Sequence, residues 1–319
     1  MKPKVAFYWC ASCGGCEEAV LDLAEDLLEV TALVDIVFWP VALDFKEKDV
    51  EGMPDGSIAI AFINGAIRTS DQQKMARLLR AKSELVVAFG VCAQLGGVPG
   101  LANLTDAAGI LEEAFGDGVR PEREYRVDGC SVTLPKLFDT VVPLSAVIPV
   151  DYYVPGCPPT PKIVAGALTA LLDPHPPAKG AVLAPDHALC EECPRRDSRP
   201  QELRLETFRR VSETVLDTEK CLLAQGVFCL GAATRAGCEA RCIAGNMPCT
   251  GCFGPTSRVR DFGGKAIGAI ASVLGSNDPD EVERALESIP DPAGTFYRYS
   301  LPASFLERRR MEASNGRGN

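Results

Sequence analysis

The chain has 319 residues, 46% of them apolar and 24% charged, with a net charge of −10. That is enough apolar material for one large or two ordinary folded domains and excludes an intrinsically disordered chain. The acidic balance and the lack of a long basic stripe argue against nucleic-acid binding, and no uninterrupted apolar run of about 18 residues points to a bilayer span.

Four short apolar runs rich in strand formers lie at 5–9, 34–38, 58–63 and 85–89. Nearly continuous runs of this kind suit parallel strands covered on both faces. Three helical patterns alternate with them. Residues 16–29 place Val20, Leu21, Ala24, Leu27 and Leu28 on one stripe. Asp71–Lys82 buries Met75, Leu78 and Leu79, and Pro161–Leu172 opens on proline with Ile163, Val164, Ala167, Leu168 and Leu171 inward. The rhythm predicts an α/β fold: a flavodoxin-like, doubly wound parallel sheet spanning residues 1–178.

A proline-rich stretch at 173–180 reads as a linker or long surface turn. Beyond it, in 179–319, the pattern predicts a small irregular domain: a polar helix over 200–217, a cysteine- and glycine-dense region, and helices near Lys265–Leu274 and Glu281–Ser288. The tail from Arg308 reads as frayed.

Fourteen cysteines need an explanation. The N-terminus, Met1-Lys2-Pro3-Lys4, runs straight into an apolar run without a signal peptide or twin-arginine leader, so the expected compartment is the cytoplasm, where disulfides are rare. Eight cysteines fall between 190 and 252, including the C-x2-C pairs Cys190/Cys193 and Cys249/Cys252. Such pairs put two thiolates on one metal centre, and both zinc and iron–sulfur sites use them. With glycine and proline in place of a hydrophobic core, a metal group is expected to supply folding energy there.

Three further loops carry cysteine at the carboxyl ends of strand-like runs: Cys10-Ala-Ser-Cys13-Gly-Gly-Cys16, Gly90-Val-Cys92-Ala-Gln-Leu-Gly96-Gly97 and Pro155-Gly156-Cys157-Pro158-Pro159. Open α/β sheets bind ligands at that rim, so Cys13, Cys16, Cys92 and Cys157 are expected to converge. The flanking glycines would let backbone N–H groups approach the sulfurs.

These three motifs, in this order, resemble the proximal-cluster motifs of [NiFe]-hydrogenase small subunits and of the related 20 kDa subunit of respiratory complex I, over about residues 4–260. The resemblance implies three [4Fe–4S] clusters: proximal on Cys13, Cys16, Cys92 and Cys157; medial on Cys238, Cys242, Cys249 and Cys252; distal on Cys190, Cys193, Cys221 and Cys229. Relatives often carry histidine in the distal set where this chain has cysteine, and proline at the position of Cys242 when the medial cluster has three irons. It further implies a large subunit carrying the nickel–iron site, with electrons leaving from the distal end to a flavin or [2Fe–2S] partner. The missing leader and the eight late cysteines most resemble the methyl-viologen-reducing, F420-non-reducing branch that feeds heterodisulfide reductase, with the NAD(P)-linked hydrogenases as neighbour.

Several residues stand apart. Cys10 is an alternative to Cys13 or Cys16 as a ligand and otherwise a packing thiol; Cys130 reads as buried apolar filler. His187 lies three before Cys190 and imitates a His-x2-Cys pair, with four thiolates preferred, whereas His175 reads as a solvated surface residue. Glu18 resembles an acid beside the proximal cluster in relatives and is a candidate proton relay; its other reading is a carboxylate favoured by a helix N-terminus. No catalytic residue is expected on this chain itself. The complex-I-like alternative lacks its adjacent Cys-Cys pair, and a zinc-stabilised interaction protein or a flavoprotein remain as other classes.

Overall fold

The computed structural model describes residues 2–116, 124–276, 278–289 and 291–308. Strands β1 (Lys4–Trp9), β2 (Asp35–Phe38), β3 (Ile58–Asn64), β5 (Ser83–Phe89) and β9 (Tyr152–Val154) form one parallel sheet in the order β2-β1-β3-β5-β9. Counted along the chain these five strands read 2-1-3-4-5, the flavodoxin-like order, so the expected topology is present. Between β3 and β5, β4 (Ile67–Thr69) pairs antiparallel with β8 (Leu137–Val142). Strands β6 (Glu124–Val127) and β7 (Cys130–Thr133) make a hairpin whose Asp128-Gly129 turn has φ of 50° and 82°, the left-handed pair that a two-residue hairpin turn requires.

Period-two alternation sends neighbouring strand residues into two cores. Val5, Phe7, Ile60, Phe62, Val87 and Phe89 face helices α1 (Gly15–Leu21) and α7 (Pro161–Leu172). Ala6, Ala61, Ile63, Val86 and Ala88 face α4 (Ser70–Lys82) through Met75, Ala76 and Leu79. Helix α7 has the predicted bounds and inward face: all five of its expected residues are buried, and Thr160 caps it ahead of Pro161.

Two helix expectations fail. Residues 16–29 do not form one helix: α1 ends at Leu21, Ala24 sits at φ 51°, and α2 runs Asp26–Leu33. Leu21 at the end of α1 is exposed, as is Leu28 in the reoriented second half, while Leu23 at the break joins the core. No α-helix occupies 200–217 either; the region holds only a single 3-10 turn, Val211–Glu213. Leu205 and Phe208 are buried against α9 (Phe262–Ala271), and isolated bridges Leu205–Leu274 and Arg209–Val227 hold the chain extended. Burying two apolar side chains and pairing the backbone with distant segments outweighs a modest local helix preference. The two late helices are present as α9 and α10 (Pro279–Glu287). Shorter helices α3 (Glu47–Glu51), α5 (Val91–Leu95), α6 (Ala107–Phe115), α8 (Arg241–Ala244) and α11 (Pro292–Phe296) lie in the connections. The tail beyond Arg308 lies outside the described residues. No helix among the described residues is long and apolar enough to cross a membrane.

Asp151 ties the sheet to the exposed 173–180 stretch. Its carboxylate accepts from Arg80 Nη1 (2.6 Å), Lys179 Nζ (2.7 Å) and the Val86 backbone N–H (2.8 Å). Burial pushes this carboxyl up, but the three donors together push it further down, and the net position is below the usual carboxylate range. A lowered folded-state pKa stabilises the fold above the unfolded carboxyl value and loses that contribution as pH falls through the folded value. Asp151→Asn is therefore expected to cost about 3 kcal/mol at pH 7, with the gap between variant and parent closing in strongly acidic buffer. Urea midpoints at the two pH values measure this.

Candidate metal centre

The rim beyond β1, β5 and β9 is built by tight turns. Cys10 N–H donates to Asn64 O (2.8 Å) and Ala11 N–H to Ala66 O (2.9 Å), so the loop after β1 is clasped to the loop after β3. Gly14, at φ 87°, then turns the chain into α1 and presents Cys16 inward. The β5 and β9 loops are stitched together by Gly90 N–H to Val154 O and Val91 N–H to Gly156 O, both 2.8 Å. Cys92 stands on the short helix α5, and Cys157 follows Gly156.

These turns bring Cys13, Cys16, Cys92 and Cys157 within electrostatic reach of one another. Two glycines are required by the sulfurs themselves. A Cβ at Gly90 would lie 2.3 Å from Cys16 Sγ, and one at Gly97 would lie 2.3 Å from Cys92 Sγ, both at positive φ.

The later cysteines form two further groups. Cys190, Cys193, Cys221 and Cys229 line one cavity with Gly231 and Ala232. Arg195, almost wholly buried, braces this group by donating from Nη2 to Ile243 O (3.0 Å) and to Asn246 Oδ1 (2.9 Å). Cys252 is within electrostatic reach of Cys238 and Cys242, and Cys249 is within reach of both Cys229 and Cys252. Backbone N–H groups point at many of these sulfurs: Val98 at Cys92, Gly231 and Cys249 at Cys229, Ala240 and Arg241 at Cys238, Gly251 at Cys249, and Cys157 at Cys252.

Burial pushes the Cys92 and Cys252 thiols up to about 12 and Cys190 to about 11, and raises Cys16, Cys157, Cys229, Cys238 and Cys249 as well. The ligand form is the thiolate, so holding these groups ionised requires positive charge among them. Among the described residues, no three His, Cys, Asp or Glu side chains crowd tightly enough to hold a single metal ion. Grouped sulfurs, aimed N–H donors and glycine cradles match the donor set of an iron–sulfur cluster.

The remaining candidates fall as follows. Cys10 is buried in the core under the sheet, as a packing thiol would be. Cys130 is exposed at the start of β7, which corrects the expectation of buried filler: the hairpin it belongs to has no partner layer among the described residues to bury it. His187 Nε2 pairs with Glu192 Oε1 at 2.9 Å, and His175 is exposed. Glu18 is exposed on the first turn of α1, whereas its neighbour Glu17 is buried. The Glu17 carboxylate accepts from Trp39 Nε1 and from Asn64 Nδ2 (2.5 Å), and burial raises its pKa against those two hydrogen bonds. Sequence reading missed Glu17; its signal was the spacing of three before Val20, which places both on the inward stripe.

Gly90→Ala is expected to cost about 1–3 kcal/mol, because the new methyl overlaps Cys16 Sγ and sits at positive φ. Gly56→Ala, also at positive φ but with nothing within 4 Å, isolates the backbone component. A lower thermal midpoint for Gly90→Ala than for Gly56→Ala is the expected result.

With this geometry in view, the chain matches the family model for the NADH ubiquinone oxidoreductase 20 kDa subunit over residues 13–171. It is 37% identical to the iron-sulfur subunit of the F420-non-reducing hydrogenase of Archaeoglobus profundus, covering 97% of this chain and 99% of the relative. It is also 37% identical to a vhu subunit of the F420-non-reducing hydrogenase of Methanocaldococcus jannaschii, over 96% of this chain and 97% of that one. In fold it resembles the [NiFeSe]-hydrogenase of Dm. baculatum (TM-score 0.52, 19% identity, 86% of this chain and 100% of that one). The oxidized [NiFeSe] hydrogenase of Desulfovibrio vulgaris Hildenborough gives a TM-score of 0.51 at 20% identity, over 80% and 94% of the two chains. Near-full-length identity on both sides leaves one conclusion: the chain belongs to the hydrogenase small-subunit family represented by these iron-sulfur subunits of F420-non-reducing hydrogenases.

Proposed function

We propose that this chain is the electron-transferring small subunit of a cytoplasmic [NiFe] hydrogenase, its own part being to hold and space three [4Fe–4S] clusters. Cys13, Cys16, Cys92 and Cys157 would hold the proximal cluster, Cys238, Cys242, Cys249 and Cys252 the medial, and Cys190, Cys193, Cys221 and Cys229 the distal. The first would belong to a unit of residues 1–178 and the other two to 179–319. When bound, such clusters supply one-electron acceptance and release at potentials tuned by ligation, burial and N–H···S bonds.

One observation carries the reading: the three groups of thiols follow one another in series. The Cys157 backbone N–H points at Cys252 Sγ, and Cys249 N–H donates to Cys229 Sγ at 3.4 Å. Each junction is a single peptide unit between sulfurs of neighbouring groups, which supports an electron path from the sheet rim to the 190–229 region.

The rim end would face a large subunit carrying the nickel–iron site. Cys13 is exposed there beside Trp9, whose 38% exposed ring packs against Gly14. Hydrogen would be split on that partner, and electrons would leave near Cys190 to a flavin or [2Fe–2S] acceptor, with heterodisulfide reductase beyond it. The F420-non-reducing relatives favour this branch over an NAD-linked one: the delta subunit of the Cupriavidus necator NAD-reducing hydrogenase HoxS is 26% identical over 55% of the chain.

Purified without oxygen together with its large subunit, the chain is expected to carry about twelve irons and as many acid-labile sulfides. Zinc in their place, without sulfide, would end this reading. Cys157→Ser is expected to remove one of three EPR-visible centres and abolish hydrogen-dependent dye reduction; a variant keeping all three signals and full activity would refute the proximal assignment.

A further inference from the structure

The last described segment, 297–308, crosses from the cysteine-rich region back over the Cys92 loop. Tyr297 packs on α9, where a Cβ at Gly263 would come within 2.2 Å of its ring. Gly97 N–H donates to Tyr299 O at 3.1 Å. Pro302 fills a notch between Gly96 and Gly100 so closely that a Cβ at either would lie 2.3 Å from its ring. Asn103 Nδ2 donates to Glu307 O (2.8 Å), and Arg308 Nη1 to Thr140 Oγ1 (2.6 Å). The segment is thus a strap whose fit is built into the glycines of the Cys92 loop. Its half-buried Tyr299 also shares a hydrogen bond of 3.1 Å with Thr250 Oγ1, inside the Cys249-Thr250-Gly251-Cys252 turn.

We propose that Tyr299 is a positioning residue for electron passage between the Cys157 and Cys252 groups: its backbone carbonyl holds the Cys92 loop, its hydroxyl holds the Cys249–Cys252 turn, and its ring fills the space beside their junction. The inference rests on the iron–sulfur reading above. Tyr299 is half-buried and close enough to both Cys252 and Cys157 to sense their charge. The step served is the transfer of one electron, supplied by hydrogen at the partner's site, from a reduced centre at Cys157 to an oxidised centre at Cys252. The first is oxidised and the second reduced, and Tyr299 itself neither gains nor loses an electron. What it contributes is fixed distance. Small displacements at such a junction lengthen the tunnelling distance and slow the transfer.

The test uses the anaerobic complex with its large subunit, mixed with hydrogen and freeze-quenched for EPR. Tyr299→Leu is expected to leave reduction of the centre at Cys157 unchanged and to slow the centre at Cys252 several-fold. Tyr299→Phe keeps the ring and should give a smaller delay, at least as long as that of Thr250→Val. The double variant should be slower by less than the two single effects combined, because both remove the Thr250–Tyr299 hydrogen bond, while only Tyr299→Phe also removes the phenol's interaction with Arg298. Wild-type timing of both centres in Tyr299→Leu would overturn the proposal. So would loss of iron in Tyr299→Leu combined with fully normal timing in Tyr299→Phe, since that is simple packing. Absence of the three centres from the unaltered complex would instead strike the iron–sulfur reading.

Discussion

Burying sulfur where other proteins bury hydrocarbon imposes one requirement on this molecule: the cost of many desolvated thiols must be offset locally. Cys16, Cys92, Cys249 and Cys252 sit among apolar side chains, and burial drives their ionisation up. Thiolates in such places are stable only with donors aimed at them and positive charge among them. The backbone turns that direct N–H groups onto sulfur are the visible half of that compensation. Glycine recurs beside the cysteines because only a residue without Cβ brings the backbone close enough, as at Gly90 and Gly97.

The same requirement explains how the parts are joined. Core residues around the sheet include Phe253 from beyond the cysteine-rich turns, with Cys238 and Cys252 packed against them. Charged side chains are used where the chain leaves regular structure. Arg235, buried at 2% exposure, pairs with Asp186 Oδ1 at 2.9 Å and donates to Pro185 O and Pro255 O (both 3.0 Å). Arg195 plays the same part beside the Cys190 group. Guanidinium suits both places, since its fork satisfies several orphan carbonyls at once.

Local signals were legible wherever a few neighbouring residues settle the outcome. The four strands, α7 with its proline start, and the three cysteine motifs at strand ends all follow from patterns a dozen residues long or less. Legibility fails where distant contacts outvote local preference. Leu205 and Phe208 sit in a stretch that reads as a polar helix, yet they are drawn into a core with α9. Ala24 breaks a helix that its neighbours' spacing would continue. Cys130 looks like filler by type but rides on an exposed hairpin.

Taken alone, the order of residues determined the α/β rhythm, the flavodoxin-like winding and the identity of the candidate sulfur donors, because alternation, turn chemistry and short cysteine spacings act over a few peptide units. Only the folded chain decided which sulfurs are neighbours across groups, that Glu17 and not Glu18 turns inward, and that Tyr299 reaches the Cys249–Cys252 turn. Those outcomes join residues far apart in the chain, and their geometry is set by packing of whole elements, which no local pattern encodes.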